Sequence, residues 1–338
     1  MRIGIDAMGG DNAPDAIIRG VVESLESLGD DDQLLLVGRR EQIEARLGPS
    51  VDPRIVVVHA PDVIEMDDKA ARTVRSKPGS SIARLARMGA GQDEIHADVV
   101  MSAGNTGACV SAAIMHMKRL RGVHRPGIAV TIPAFGGPVV LCDAGANPDP
   151  QAAHLQQYAL MAETYARCIH GIENPRIAMM NIGAEEGKGS DLVRETHHLL
   201  KETPELRYLG FIEGRDLFDG AVEVVVTDGF VGNTLLKMAE GLVTSLFRAI
   251  THELEAIEPS LARQFQPIIG QLYERNDYHE YGGAPLLGVN GAFFIAHGSS
   301  DPRTISAAIR NCRDFVATGV NEAIRTRLGT ISATAEPA

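Results

Sequence analysis

Apolar positions along this 338-residue chain fall into two rhythms. Short β-branched runs predict strands at Arg2–Ile5, Leu34–Gly38, Ile55–Val58, Val99–Ser102, Ile128–Ile132, Val139–Cys142, Ile177–Asn181, Tyr208–Phe211, Val222–Val226 and Phe293–Ala296. Several of these are apolar without interruption, the pattern of strands covered on both faces. Between them the spacing changes to i, i+3, i+4, which marks one face of a helix. Ile17, Ile18, Val21, Val22, Leu25 and Leu28 trace one such stripe. Leu155, Tyr158, Ala159, Ala162, Tyr165, Ala166 and Ile169 trace a second, and Leu235, Met238, Ala239, Leu242, Val243, Leu246 and Phe247 a third. Strands alternating with helices predict an α/β fold, a mostly parallel sheet with helices on both faces. The stretch Pro61–Ser81 reads as a long charged surface loop, either functional or merely solvated. The last eight residues, Ile331–Ala338, read as a disordered tail.

Length allows two lobes or one large unit. Lys and Arg total 32 against 44 Asp and Glu, a formal charge of −12. That balance argues against nucleic acid as the main partner, while leaving room for a local basic patch that receives an anionic ligand or an acidic protein. The four cysteines, Cys109, Cys142, Cys168 and Cys312, have no metal-knuckle or C-x-x-C spacing. They read as small buried hydrophobes in a reducing compartment. With no signal-peptide pattern and no apolar run long enough to span a bilayer, a cytoplasmic location with at most peripheral membrane contact is expected.

Candidate chemistry lies in the loops after the strands, where ligands of open α/β sheets bind. The first strand ends in Asp6-Ala7-Met8-Gly9-Gly10-Asp11-Asn12. Later ones end in Ser102-Ala103-Gly104-Asn105-Thr106-Gly107, Asp143-Ala144-Gly145-Ala146-Asn147, Asn181-Ile182-Gly183-Ala184-Glu185-Glu186-Gly187-Lys188-Gly189 and Asp228-Gly229-Phe230-Val231-Gly232-Asn233-Thr234, with Lys237 one turn on. Tyr281–Gly288 and His297-Gly298-Ser299-Ser300 lie near the C-terminus. Glycine lets backbone N–H groups approach an anion, and a helix N-terminus adds unpaired donors. One such loop says little, because strand–helix turns favour glycine for steric reasons alone. Five, expected along one sheet edge, point to a phosphate or phosphoryl site.

The Walker A, G-x-G-x-x-G and G-x-S-x-G patterns are absent. No His or Cys cluster suggests a metal, and no cofactor is expected. Asp6, Asp11, Asp143 and Asp228 fit either Mg²⁺ ligation or loop ordering and helix capping, the second being favoured. His197-His198 reads as surface.

Taken in order, the loops from Asp6–Asp11 through Ser102–Ala108, Asp143–Asn147, Ile182–Gly189 and Asp228–Asn233 to Gly282–Gly288 with His297-Gly298 resemble the PlsX-type phosphate acyltransferases. The resemblance runs from Met1 to about residue 325. It implies an isocitrate/isopropylmalate dehydrogenase-like fold with two lobes, one catalytic unit over residues 1–330, shared with phosphotransacetylases. It also implies a homodimer that moves a long-chain acyl group from acyl carrier protein to inorganic phosphate. The acyl phosphate would then pass to a membrane glycerol-3-phosphate acyltransferase for phosphatidic acid and phospholipid synthesis. Two departures stand out. Lys69 sits where proline is expected, and Ile257–Arg275, a helical tip for membrane or dimer contact, carries Glu258 and Glu274 and is interrupted by Pro267.

The expected mechanism is direct attack of phosphate on a thioester. Lys188 is the first candidate for gripping phosphate, with Asn233 beside it. Asn105 and Asn147 are candidates for orienting phosphate or holding the oxyanion, and His297 for protonating the leaving thiolate or supporting from behind. The phosphate cradle is expected from Gly9, Gly10, Asp11, Ser102, Gly104, Thr106, Asn147, Gly183, Gly232 and Lys237. No cysteine is placed as an acyl-enzyme nucleophile, so one-step displacement is preferred. The basic run Lys118-Arg119-Leu120-Arg121, with His124 and Arg125, either docks the acidic carrier or is a solvated helix end. Rival readings are a coenzyme A phosphotransacetylase, a metal- and NAD-dependent dehydrogenase, and a non-enzymatic membrane scaffold.

Overall fold

A computed structural model describes residues 1–257, 260, 263–268, 270 and 282–334. Among these residues eleven strands form one sheet: β1 (Arg2–Asp6), β2 (Gln33–Gly38), β3 (Ile55–His59), β4 (Val99–Ser102), β5 (Gly127–Ile132), β6 (Val139–Cys142), β7 (Arg176–Met180), β8 (Arg207–Ile212), β9 (Val224–Val226), β10 (Ala284–Leu287) and β11 (Phe293–Ile295). Around them pack α1 (Asp15–Ser24), α2 (Arg40–Leu47), α3 (Ala70–Ser76), α4 (Ser81–Gly89), α5 (Thr106–His116), α6 (Ala152–His170), α7 (Asp191–Lys201), α8 (Gly229–Ile257), α9 (Pro302–Ala317) and α10 (Val320–Thr334). All ten predicted strands form.

Four sequence expectations need correction, one of them His197, expected at the surface but buried against Tyr208 and Phe211. Ala284–Leu287, taken as loop, is a strand: Pro285 and the flanking glycines look like a turn, but the segment pairs antiparallel with both β11 and β5. Pro61–Ser81 is not loop throughout, because α3 folds within it and packs against α5. The last helix continues to Thr334, past Ile331 where a tail was expected, and 335–338 lie outside the described residues. Most of Ile257–Arg275 also lies outside them.

Strand order is β3-β2-β1-β4-β11-β10-β5-β6-β9-β7-β8. Most neighbours are parallel, but β10 opposes β11 and β5, and β6 opposes β5. The reversals turn β6, β9, β7 and β8 against β1–β4 and β11. The sheet therefore has an upper edge, where β1, β4 and β11 end, and a lower edge, where β6, β7 and β9 end.

Alternation across each strand explains the unbroken apolar runs. Leu34 and Leu36 of β2 enter one core and Leu35 and Val37 the other. On one face a single core runs under α1, α6, α9 and α10 through both halves of the sheet. On the opposite face the core is divided. One part lies under α4 and α5, and the other combines β6, β7 and β9 with Val231, Leu235 and Leu236 of α8. Val130 of β5 packs against both parts. A cleft opens at this division.

Candidate active site

The cleft is about 320 Å³ and lies between the upper-edge loops and α8. Asp11, Gly104 and Thr106 enter it from the loops after β1 and β4, and His297–Ser300 from the loop after β11. Its floor is Ile128, Val130 and Thr131 of β5, with Ala144 and Gly145. The α8 wall presents Asn233, Lys237 and Glu240. Their i, i+4, i+7 spacing places all three on one helix face. α8 starts at the lower edge and carries this face upward, so residues from both edges meet in one cleft.

Hydrogen bonds shape each wall. Asp6, fully buried, accepts from the Met8 N–H at 3.0 Å and the Ser102 hydroxyl at 2.7 Å. Ser102 Oγ in turn accepts from Gly104 N at 3.0 Å. Burial raises the Asp6 pKa, and these hydrogen bonds act against that rise. The first loop is thereby clamped on the loop after β4, and Gly9 is required by packing: a Cβ there would lie 2.6 Å from Gly104 N. Asn105 caps α5, its Oδ1 accepting from Ala108 N at 3.0 Å. Its Nδ2 donates to Met66 O at 2.9 Å and Asp68 O at 3.1 Å, which holds Met66 at the cleft rim.

Lys237 Nζ donates to His297 Nε2 at 2.8 Å, and His297 Nδ1 lies 2.7 Å from Ser299 Oγ. The Ser299 N–H also lies 3.3 Å from His297 Nδ1, so the ring is held by its own loop. The His297 ring thus aims the lysine. Glu240 is half-buried, and desolvation raises its carboxyl pKa, with the Lys237 charge opposing. Ser300 is only 3% exposed and lines the cleft, and its hydroxyl makes no hydrogen bond among the described residues. A buried hydroxyl without a protein partner is unusual and leaves a hydrogen bond open to water or to a polar ligand group.

At the lower edge Asp143, also buried, organises its own loop. Oδ1 accepts from Ile128 N, Gly145 N and Ala146 N, and Oδ2 from Asn147 N at 2.7 Å. Burial raises its pKa against those bonds. Asn147 Nδ2 donates to Pro126 O and Tyr158 Oη, both at 2.7 Å. Asp228 Oδ1 caps the start of α8 through Phe230 N and Val231 N, both at 2.9 Å. Gly232 lets α8 pass over the Asp143 backbone, since a Cβ there would lie 2.0 Å from the Asp143 carbonyl oxygen. Lys188 sits in the loop after β7, where its Nζ pairs with Glu185 at 2.7 Å.

The expected single edge of loops is therefore two groups. Asn233, His297, Asp11, Gly104, Thr106 and Lys237 come together in the cleft. Gly9, Gly10, Ser102 and Asn105 stand behind its upper wall. Lys188, Gly183, Asn147 and Gly232 belong to the lower edge and do not line the cleft. Sequence reasoning missed Ser300, Thr131 and Glu240. Ser300 belongs to the His297–Ser300 loop, which composition did pick out, but its missing partner is a property of the folded chain. Asp6, Asp143 and Asp228 have the loop-ordering and capping contacts that sequence reasoning favoured. Among the described residues no group of three His, Cys, Asp or Glu is arranged to hold a metal.

Residues 1–323 match the family described as "Fatty acid synthesis protein". A phosphate acyltransferase of Desulfitobacterium hafniense is 42% identical over 340 residues, covering 99% of this chain and all of that one. Among solved structures, the EutD phosphotransacetylase from Staphylococcus aureus superposes with a TM-score of 0.57 at 14% identity, covering 96% of this chain and 94% of that one. A Salmonella typhimurium structure, provisionally assigned as a 4-hydroxythreonine-4-phosphate dehydrogenase, gives 0.50 at 11% identity, covering 93% and 98%. At these identities the two structures speak to fold alone, and the fold is of the dehydrogenase-like α/β type.

Proposed function

The chain belongs to the phosphate acyltransferase family of fatty acid synthesis proteins, and from that premise we propose that it moves a long-chain acyl group from acyl carrier protein to inorganic phosphate in the α8 cleft. Family membership makes it an acyltransferase with phosphate as acceptor. The donor and the residue roles are the proposal. The observation that carries it is the Asn233–Lys237–Glu240 face of α8 opposed to the unpartnered Ser300 hydroxyl.

In this reading phosphate lies between Lys237, Asn233 and Ser300, with backbone N–H groups at the start of α5 behind it. A phosphate oxygen forms the bond to the thioester carbon, the carbonyl oxygen takes negative charge, and the C–S bond then breaks as the carrier thiolate leaves. Donors fixed before the reaction stabilise that charge without reorganising. His297 holds Lys237 in place. Lys188 is the competing grip on phosphate: it shares the lower edge with the Gly145 turn, which packs against Asn233, and it is held there by the exposed Glu185.

Arg119, Arg121 and Arg125 are exposed on the turn before β5 and suit an acidic carrier. α8 exposes Phe230, Met238, Leu242, Leu246, Ile250 and Ile257, an apolar row that suits a second copy of the chain. Among the described residues no helix is long and apolar enough to cross a membrane. Contact with a membrane surface, and delivery of product to a membrane glycerol-3-phosphate acyltransferase, belong to the same proposal.

The test offers palmitoyl-acyl carrier protein and palmitoyl-coenzyme A separately, with phosphate as acceptor. The carrier donor is expected to give the higher kcat/KM. Preference for coenzyme A would move the chain to phosphotransacetylase chemistry. Lys188→Ala and Lys237→Met, assayed together, decide which lysine sets the KM for phosphate.

A further inference from the structure

Beyond Glu240 the cleft meets a second cavity of about 240 Å³ between α8 and the β5–β6 hairpin. Thr131, Leu236 and Glu240 line both spaces, so the two adjoin. Past that junction the lining is Ile132, Pro133, Phe218, Ala239, Val243 and Phe247, with Leu246 at the rim. The polar side chains, Thr131 and Glu240, stand only at the cleft end. The groove has a structural origin. The fully buried residues of α8 are Gly229 and Gly232, at its start. Leu235 and Leu236 still pack on the core, and past them the groove opens between the helix and the sheet.

We infer that this groove holds the acyl chain of the donor, with the thioester at the Thr131–Glu240 junction and the alkyl tail running along α8 toward Phe247. This rests on the acyltransferase reading above and adds the chain's position and what limits its length. From Leu236 to Phe247 the helix advances about 16 Å, enough for a long alkyl chain. The occupant is an alkyl chain rather than a protein segment: a helix is about 10 Å across, so the same length of it occupies on the order of 1,000 Å³. One end is polar and adjoins the phosphate cleft, the other is apolar and open, the polarity of a fatty acyl thioester.

Leu246→Trp and Phe247→Trp narrow the far end of the groove, about 9–10 Å past Glu240 along the helix and so beyond an octanoyl chain, and neither residue lines the cleft. The readout is kcat/KM for palmitoyl- against octanoyl-acyl carrier protein. Each methylene denied burial weakens binding about four-fold. Excluding two or three of them is expected to lower the palmitoyl value roughly 10- to 100-fold, leaving the octanoyl value within about two-fold. Val243→Ala, which enlarges the groove, is expected to shift preference toward longer chains and guards against a narrowed variant that fails to fold. Equal losses with both donors in folded variants, or an unchanged profile, would overturn the inference. So would weakened self-association with an unchanged profile, which would make the groove an interface between copies. Binding of a fluorescent long-chain fatty acid separates the two readings. If the wild type makes no acyl phosphate but binds the probe and the narrowed variants do not, the groove stands and the reaction assignment falls. If the wild type is active but neither probe binding nor chain preference responds, the groove falls alone.

Discussion

Replacing Lys237 by methionine keeps most of the stem and removes the ammonium. In the folded chain that ammonium faces the cleft and is aimed by His297 at 2.8 Å. A hydrogen bond to a charged partner contributes about 1.5–3 kcal/mol. Because Lys237 is exposed to solvent, the lower half of that range applies. Lys237→Met should therefore lower kcat/KM for phosphate roughly 10- to 50-fold, mainly through KM, with KM for the acyl donor nearly unchanged. His297→Asn should give a smaller effect of the same kind, since it only loosens the lysine. The assay varies phosphate at saturating palmitoyl-acyl carrier protein and traps product as its hydroxamate. Unchanged phosphate kinetics in Lys237→Met, beside a collapse in Lys188→Ala, would refute the cleft assignment and move the phosphate to the lower edge.

The same geometry sets other outcomes. Ser300→Ala should weaken phosphate use about three- to ten-fold while urea denaturation shows stability equal to or above the wild type, because the lost hydroxyl has no partner among the described residues. Gly232→Ala should destabilise by at least about 1–3 kcal/mol in the same denaturation experiment, as the new Cβ meets the Asp143 carbonyl oxygen. Leu242→Glu on the exposed row of α8 should disrupt the proposed dimer, read as a fall to monomer mass in light scattering. Glu240 has a raised pKa in the folded chain, so its ionisation there is disfavoured and stability falls as pH rises from the ordinary carboxylate range through the raised value. Glu240→Gln should therefore gain stability over the wild type at neutral pH and lose that gain once the pH drops below the ordinary value.

The strands were legible because burial on both faces writes unbroken apolar runs, as in Leu34–Val37. β10 was not, because Pro285 between Gly282-Gly283 and Gly288 imitates a turn and only pairing with β11 and β5 makes it a strand. Strand sense is a non-local property. Nothing local in Val139–Cys142 says that it opposes Ile128–Ile132, and that reversal separates Lys188 from Lys237. The glycine-rich loops were found by composition, but packing explains several of them. Gly9 and Gly232 are fixed by close backbone approach, and Asn105 and Asn147 have their amides engaged within the fold. Lys237 and Asn233 could be paired from i, i+4 spacing alone. Ser300 could not, because its isolation appears only when its neighbours are in place.

The most direct test of the central claim is transfer of radiolabelled phosphate into acyl phosphate from palmitoyl-acyl carrier protein, with wild type beside Asn233→Ala, the residue that reaches both the cleft and the lower edge. The expected result is labelled product from the wild type and a loss of at least ten-fold, roughly, in the folded variant. No labelled product from folded wild type with either carrier or coenzyme A donor would contradict acyl transfer to phosphate. Full activity in Asn233→Ala would contradict its placement in this cleft.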